Sequence, residues 1–442
     1  MSLGSFVKWL YPGMHIKRWL VLLLFGITFV SLGIAYVITH TYRTQPFPEY
    51  VFYLTLQFVD RPLRGVLFVL VGLSVSVIAV IQLNRSLLSP FRGGRNDNLV
   101  DIIFQHRYLQ RGPKVVVIGG GHGLSTLLRG MKEYTRNLTA IVTVGDDGGS
   151  SGRLRQDFGV LPPGDLRMCL VALADAEPLM TKLFQYRFDR GSGLEGHSFG
   201  NLFLVAMNAI TGNFERALRE SSRVLAVRGQ ILPSTLQDIT VCAEYDDLTT
   251  AEGESLIPES GKRVKRLFLQ PSNPPAYGEA VKAILDADLV VIGPGSLYTS
   301  VMPNLLIEEI THAIRVSDAV KVYVCNVATQ RGETDNFQVH HHVEVIERHC
   351  GAQLFQYVLI NDNLTAAQAA GSTVVPVNLN GFIEHSDVRP VVADVVDEQE
   401  PRQHDPQKLA HSLMKLYYDR GQSRVNGSSH DLEAKVGAHT SS

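Results

Sequence analysis

The chain has 442 residues, 45% of them hydrophobic, 19% charged and 8% aromatic, with 41 basic and 43 acidic side chains for a net charge of -2. That balance implies no polyelectrolyte partner, and the basic residues are interspersed with acids, so nucleic acid is not an expected partner. The four cysteines, Cys169, Cys242, Cys325 and Cys350, lie far apart without a C-x-x-C pair, which excludes a disulfide scaffold and fits a reducing compartment.

The first 90 residues are far more apolar than the rest. Trp19 to Thr39 carries no charge, and Gly65 to Leu83 is a second uncharged run. Each is close to the roughly 20 residues that span a bilayer and exceeds the apolar core of a cleaved signal peptide. The expectation is a transmembrane hairpin over residues 1–90, spans near 19–39 and 65–83. Lys8, Lys17, Arg18, Arg85, Arg92 and Arg95 flank the pair, against Arg43, Arg61 and Arg64 between the spans, so both ends are expected inside. This predicts a multi-pass protein of the inner (cytoplasmic) membrane whose remaining domain faces the cytoplasm.

A polar, Gly-rich linker is assigned to 91–112, followed by a domain over 113–395 and a polar tail over 396–442 with a helix near Pro406 to Tyr418. Within the domain, short apolar runs alternate with helical segments, the mark of an α/β fold. Strands are predicted at Val115–Ile118, Ala140–Val144, Ile239–Ala243, Val264–Leu269, Leu289–Ile292, Val322–Asn326 and Phe355–Ile360. Several are nearly all apolar and therefore buried on both faces. Leu166 to Val227 shows no strand signal and is predicted as a helical insertion. The fold class is thus α/β, a Rossmann-like mostly parallel sheet with a helical insertion, preceded by two transmembrane helices.

Chemistry gathers where strands end. Val115–Ile118 runs into Gly119, Gly120, Gly121, His122 and Gly123, a Gly-rich turn opening a helix, where backbone N–H groups and the helix terminus favour an anion. It lacks the Gly-Lys-Ser/Thr of a P-loop and does not keep the G-x-G-x-x-G register of a nicotinamide enzyme. The second strand leads to Asp146, Asp147, Gly148, Gly149, Ser150, Ser151, Gly152, Arg153, Leu154 and Arg155. Either carboxylate could accept sugar hydroxyls or hold a divalent cation, the arginines could fork onto phosphate, or the segment could be a solvated capped turn. Asp165, after Pro162-Pro163-Gly164, reads as a helix cap or a pocket residue. His197 and Ser198 precede an apolar helix containing Asn201, so capping competes with a role for His197 as a general base. Two further exits carry Gly293, Gly295 and Ser296, and Asn326, Thr329 and Gln330. Parallel strands deliver their carboxyl ends to one edge, so these four loops are expected to line one crevice for a phosphorylated ligand. His340 to His342 lie on a predicted helix, point in different directions, and are read as solvated surface.

Six of these motifs, in order from about Lys114 to Leu379, closely resemble the bacterial gluconeogenesis factor family of YvcK-like proteins, within the CofD-like superfamily whose enzymatic branch is the 2-phospho-L-lactate transferase. His122 and Arg331 stand where the family pattern usually has Thr and Pro. The resemblance implies a UDP-sugar ligand of the UDP-N-acetylglucosamine type, no required cofactor, and a regulatory role in carbon partitioning, cell shape and envelope precursor synthesis, with protein partners there. The implied ligand-binding set is Gly119, Gly120, Gly121, His122, Gly123, Asp146, Asp147, Ser150, Ser151, Arg153, Asn201, Gly293, Gly295, Ser296, Asn326 and Thr329. No catalytic residue is assigned. The alternative it implies is a Mg²⁺-dependent transferase acting on a nucleotide-activated phospho-acid, with Asp146 and Asp147 holding the metal.

Overall fold

A computed structural model of the protein describes residues 25–36, 39–40, 52–53, 56, 58–88, 109–175, 178–365, 376–377 and 388–420. Two compact units emerge, Met1–Tyr108 and Leu109–Ser442. In the first, helical backbone covers 25–36 and Arg61–Leu88. The expected pair of spans is not found: among the described residues no helix is long and apolar enough to cross a membrane. Of the first expected span the structure describes 25–36 and Thr39, and in Arg61–Leu88 the side chains are described without interruption only from Pro62 to Ser76. Most of the linker expected over 91–112, and the end of the chain from 421, lie outside the described residues.

The second unit is built on a fully parallel seven-stranded sheet. Its strands are β1 Val115–Gly119, β2 Leu138–Val142, β3 Gln230–Pro233, β7 Leu289–Ile292, β8 Val320–Val324, β9 Tyr357–Asn361 and β10 Arg389–Ala393, in the order β10-β9-β8-β7-β1-β2-β3. Between β3 and β7 the chain forms an antiparallel three-stranded sheet, order β5-β4-β6, from β4 Thr240–Tyr245, β5 Thr250–Glu252 and β6 Val264–Gln270. Two predicted strands, Ile239–Ala243 and Val264–Leu269, therefore belong to this small sheet rather than to the parallel one. β6 exposes Lys265, Arg266 and Gln270 while burying Val264, Leu267 and Leu269, the one-faced pattern of an antiparallel sheet.

The parallel strands are apolar throughout because both faces are covered. Val116, Ile118, Val290 and Ile292 face a core shared with the small sheet through Val241, Ala243 and Leu267. Val115, Val117, Leu289 and Val291 face a second core completed by Leu166, Leu170, Phe184 and Leu204 of the helical insertion. The insertion forms as expected, with helices Pro163–Leu173, Pro178–Gln185, Phe199–Thr211 and Phe214–Val224.

One boundary moves. The helix at 406–420 belongs to the second core, where Leu409, Ala410, Leu413 and Met414 are buried, so the domain does not end at 395. Gly130 makes this docking possible, since a Cβ there would collide with the Pro406 carbonyl. His342 also departs from the solvated reading. It is fully buried against Tyr323, whose hydroxyl lies 3.2 Å from its Nδ1, and burial pushes its pKa down to about 3.

Strand order reverses direction between β1 and β7: β2 and β3 lie to one side of β1, the later strands to the other. In open α/β sheets ligands bind at such a switch point, beyond the carboxyl ends of the strands.

Candidate functional site

Two Gly-rich loops flank that point. After β1, Gly120 is extended and caps helix Gly121–Met131 without a side chain, while Gly121 takes φ +63, a conformation that favours glycine. Gly121 N–H donates to Asp165. The N–H groups of His122 and Gly123, also in the first turn, have no acceptor among the described residues. The helix thus opens onto the crevice with unspent donors and its positive end.

After β7, Gly293 and Gly295 lead into a π-helical turn, Leu297–Val301. The two loops touch. A Cβ on Gly123 would stand 2.6 Å from the Pro294 carbonyl oxygen and 2.9 Å from the Gly295 Cα, so Gly123 is required for loop-to-loop contact. Gly121, by contrast, has only the Ser300 Oγ nearby, at 3.5 Å from where a Cβ would sit.

The β8 exit closes the third side. Asn326 Oδ1 accepts the Gly295 N–H at 3.4 Å, Asn326 Nδ2 donates to Gln330 Oε1 at 3.3 Å, and Gln330 Nε2 donates to Ser296 Oγ at 2.7 Å. With its oxygen accepting from Gln330, the Ser296 hydroxyl keeps its own hydrogen to give. The fourth side is Arg402, Gln403 and His404, brought in by the C-terminal segment; the His404 Nε2–H donates to the Cys325 carbonyl at 3.2 Å. Burial holds that imidazole neutral, with its pKa pushed down to about 4. Together these residues line a cavity of about 340 Å³.

The loop after β2 does not enter this cavity. It becomes a helix, Gly149–Phe158, capped by Gly148. Asp147 has partners of its own: its Oδ1 accepts the Ser255 N–H at 2.9 Å, and its carboxylate packs against Gly253, tying the loop to the small sheet. Arg155 is likewise committed, to Asp238 at 2.6 Å and to the Ile239 carbonyl. Asp146 Oδ1 accepts the Gly148 N–H at 3.0 Å, Ser151 bonds the same carboxylate, and burial raises its pKa. Asp165 lies between this group and the cavity. Burial, then the nearby Asp146, raise it to about 7, against the Gly121 N–H and Arg167. Glu254 is raised well above its ordinary value by burial and by Asp146, Asp165 and Asp147.

Three carboxylates close together suggest a cation, yet among the described residues no group of three or more His, Cys, Asp or Glu is arranged to hold a metal ion.

A further polar chain runs through the insertion. Arg167 Nε donates to Asn201 Oδ1 at 2.8 Å, Asn201 Nδ2 donates to Ser150 Oγ at 3.1 Å, and Ser150 Oγ lies 2.9 Å from His197 Nδ1. Ser198, not His197, caps the helix Phe199–Thr211. Arg153 Nη2 donates to the Glu195 carbonyl at 2.9 Å.

The sixteen residues expected to share one crevice therefore divide. Gly120, Gly121, His122, Gly123, Gly295, Ser296 and Asn326 line the cavity. Gly119, Gly293 and Thr329 lie in the same loops without lining it, and Asp146, Asp147, Ser150, Ser151, Arg153 and Asn201 lie outside it. Thr126, Ser300, Gln330 and the segment 402–404 were not in the expected set. Gln330 stood inside a recognised motif. The 402–404 segment carried no signal, because a polar stretch in sequence reads as tail.

Comparison with known proteins places the chain. Residues 115–396 match the profile of the family described as 2-phospho-L-lactate transferase CofD. A protein of Nostoc sp. (strain PCC 7120) is 47% identical over 424 residues, covering 94% of this chain and 93% of its own length. The gluconeogenesis factor of Bacillus subtilis (strain 168) is 46% identical over 283 residues, 64% of this chain and 86% of its own. A crystal structure of a UPF0052 family member from Bacillus halodurans superposes with a TM-score of 0.65 at 45% identity, covering 69% of this chain and 99% of that one.

Proposed function

The chain belongs to the CofD-like gluconeogenesis factor family, and from that premise we propose that the crevice at the β7–β1 switch point binds a UDP-sugar of the UDP-N-acetylglucosamine type. Binding there serves regulation of carbon partitioning, cell shape and envelope precursor supply, through protein partners in envelope synthesis. The observation that carries the reading is the inventory of the cavity wall: the unspent N–H groups of the Gly121–Met131 helix and the free hydrogen of Ser296 all donate, as a diphosphate requires. A regulatory reading suits a wall without a paired general base and nucleophile. Membrane tethering through residues 1–90 belongs to the same proposal, supported by the uncharged run Gly65 to Leu83 within the 28-residue helix Arg61–Leu88.

Calorimetric titration of the protein with UDP-N-acetylglucosamine, with and without Mg²⁺, tests the reading. Saturable binding of one ligand, unchanged by Mg²⁺, is expected. Absence of binding to any UDP-sugar, or product formation from a nucleotide-activated phospho-acid, overturns it.

A further inference from the structure

The chain from Arg167 to His197 has a direction. A guanidinium only donates, so Arg167 fixes Asn201 with its Oδ1 accepting and its Nδ2 pointing on to Ser150. Ser150 Oγ, having accepted that hydrogen, still has its own to give, and His197 Nδ1 lies within reach at 2.9 Å. With Nδ1 accepting, the proton of the neutral imidazole sits on Nε2.

His197 is only 5% exposed. Its Nε2 has no hydrogen-bond partner among the described residues, yet it is not among the buried unsatisfied atoms, so the area left open to solvent includes that donor. Its surroundings are cationic. Arg153 and Arg187 donate to the Glu195 and Gly196 carbonyls, the two residues just before His197. Ser150 itself lies in the first turn of the ten-residue helix Gly149–Phe158, whose leading N–H groups and dipole add positive potential. Burial, reinforced by Arg153 and Arg187, holds His197 below the usual histidine range, opposed by Asp157, which keeps it the neutral donor the relay requires.

We propose that His197 Nε2–H, with Arg153 and Arg187, forms a second oxyanion subsite that takes a phosphate group, separated from the Gly121 crevice by the Asp165 carboxylate. It stands independently of the sugar-nucleotide reading. Arg167, Asn201 and Ser150 are positioning residues that act through His197 by setting its tautomer.

Nitrogen-15 NMR of histidine-labelled full-length protein tests this, with His197→Asn identifying the resonances. Before ligand, His197 should show a protonated Nε2 and an unprotonated Nδ1, and added inorganic phosphate should shift the Nε2 signal. Ser150→Ala should mix the tautomers and shrink the phosphate response. Gly121→Asp, which places a negative charge in the other site, should leave the His197 response intact, so failure of the crevice and failure of this subsite are separable. Calorimetry with inorganic phosphate in the Gly121→Asp background supplies the second measurement. His197→Gln, which restores an outward amide donor near the Nε2 position, should stay within about threefold of its parent, whereas His197→Asn, which can satisfy Ser150 but reaches no further, should weaken binding tenfold or more. A protonated Nδ1, no phosphate shift at Nε2, or equal phosphate affinity in the Asn variant and its parent overturns the proposal.

Discussion

Asp165 accepts the Gly121 N–H from below while its Oδ2 leaves no room for a side chain on Gly120, where a Cβ would stand 2.5 Å away. The carboxylate is thus the floor of the Gly-rich turn. Its pKa, raised to about 7, makes the turn sensitive to pH. A carboxyl group whose folded pKa lies above its unfolded value of about 3.9 binds its proton more tightly when folded. Its stabilisation is complete below pH 4 and is lost as pH rises toward 7. Asp165→Asn keeps an acceptor for Gly121 and removes the titration, so the difference in unfolding free energy between wild type and variant should change across that window and level off above it. Denaturant melts at several pH values read this directly.

The same charge lies beside the proposed diphosphate site, so UDP-sugar affinity should fall in the wild type as pH passes 7 and stay flatter in Asp165→Asn. Parallel pH profiles of the two proteins would dismiss the link between floor and ligand.

Gly121→Asp and Gly123→Ala should fail differently. Asp tolerates the left-handed backbone at 121 and meets only the Ser300 Oγ at ordinary contact distance, so that variant should fold and lose sugar-nucleotide binding at least tenfold by charge repulsion. Ala at 123 meets the Pro294 and Gly295 backbone and should lower the melting temperature by forcing the loops apart. Circular dichroism melts and calorimetry separate the two.

Gln330→Ala removes the donor to Ser296 and the acceptor for Asn326 in one step. Ligand affinity should drop by about 1 kcal/mol, the net worth of an ordinary hydrogen bond, with stability little changed because the residue is only half-buried.

Truncation after residue 395 should be far more damaging than truncation after 420. The first removes Leu409, Ala410, Leu413 and Met414 from the core. Burial of each of the larger side chains is worth about 1.5–3 kcal/mol, and together they approach the total stability of a domain. Insoluble protein is expected from the shorter chain and a cooperative melt near that of the wild type from the longer one.

The parallel strands were legible because β1, β7 and β8 are apolar on both faces, and the helical insertion because amphipathic and apolar segments follow one another without a strand signal. β3, β5 and β10 escaped notice: Gln230–Pro233 and Thr250–Glu252 are very short, and Arg389–Ala393 has the mixed exposure of an edge strand. At the site, glycines and Asn326 announced themselves by type and position after strands. Asp146 and Asp147 stood out by type, but adjacency in sequence could not show that Asp147 Oδ1 accepts the Ser255 N–H of the small-sheet region at 2.9 Å. Arg402 to His404 could not be found from sequence, because their place depends on a helix docking some 280 residues from Gly130.

That docking has a consequence for synthesis. A ribosome releases the Gly-rich turn, the π-helical turn and Asn326 long before residues 402–404, and domains fold as they emerge. Until the last segment leaves the exit tunnel, the sheet has its strands but the crevice lacks one wall. Ligand can therefore meet a complete site only on a chain translated past His404, and any product ending short of it is born without a full pocket, however well its β1 and β7 loops are formed.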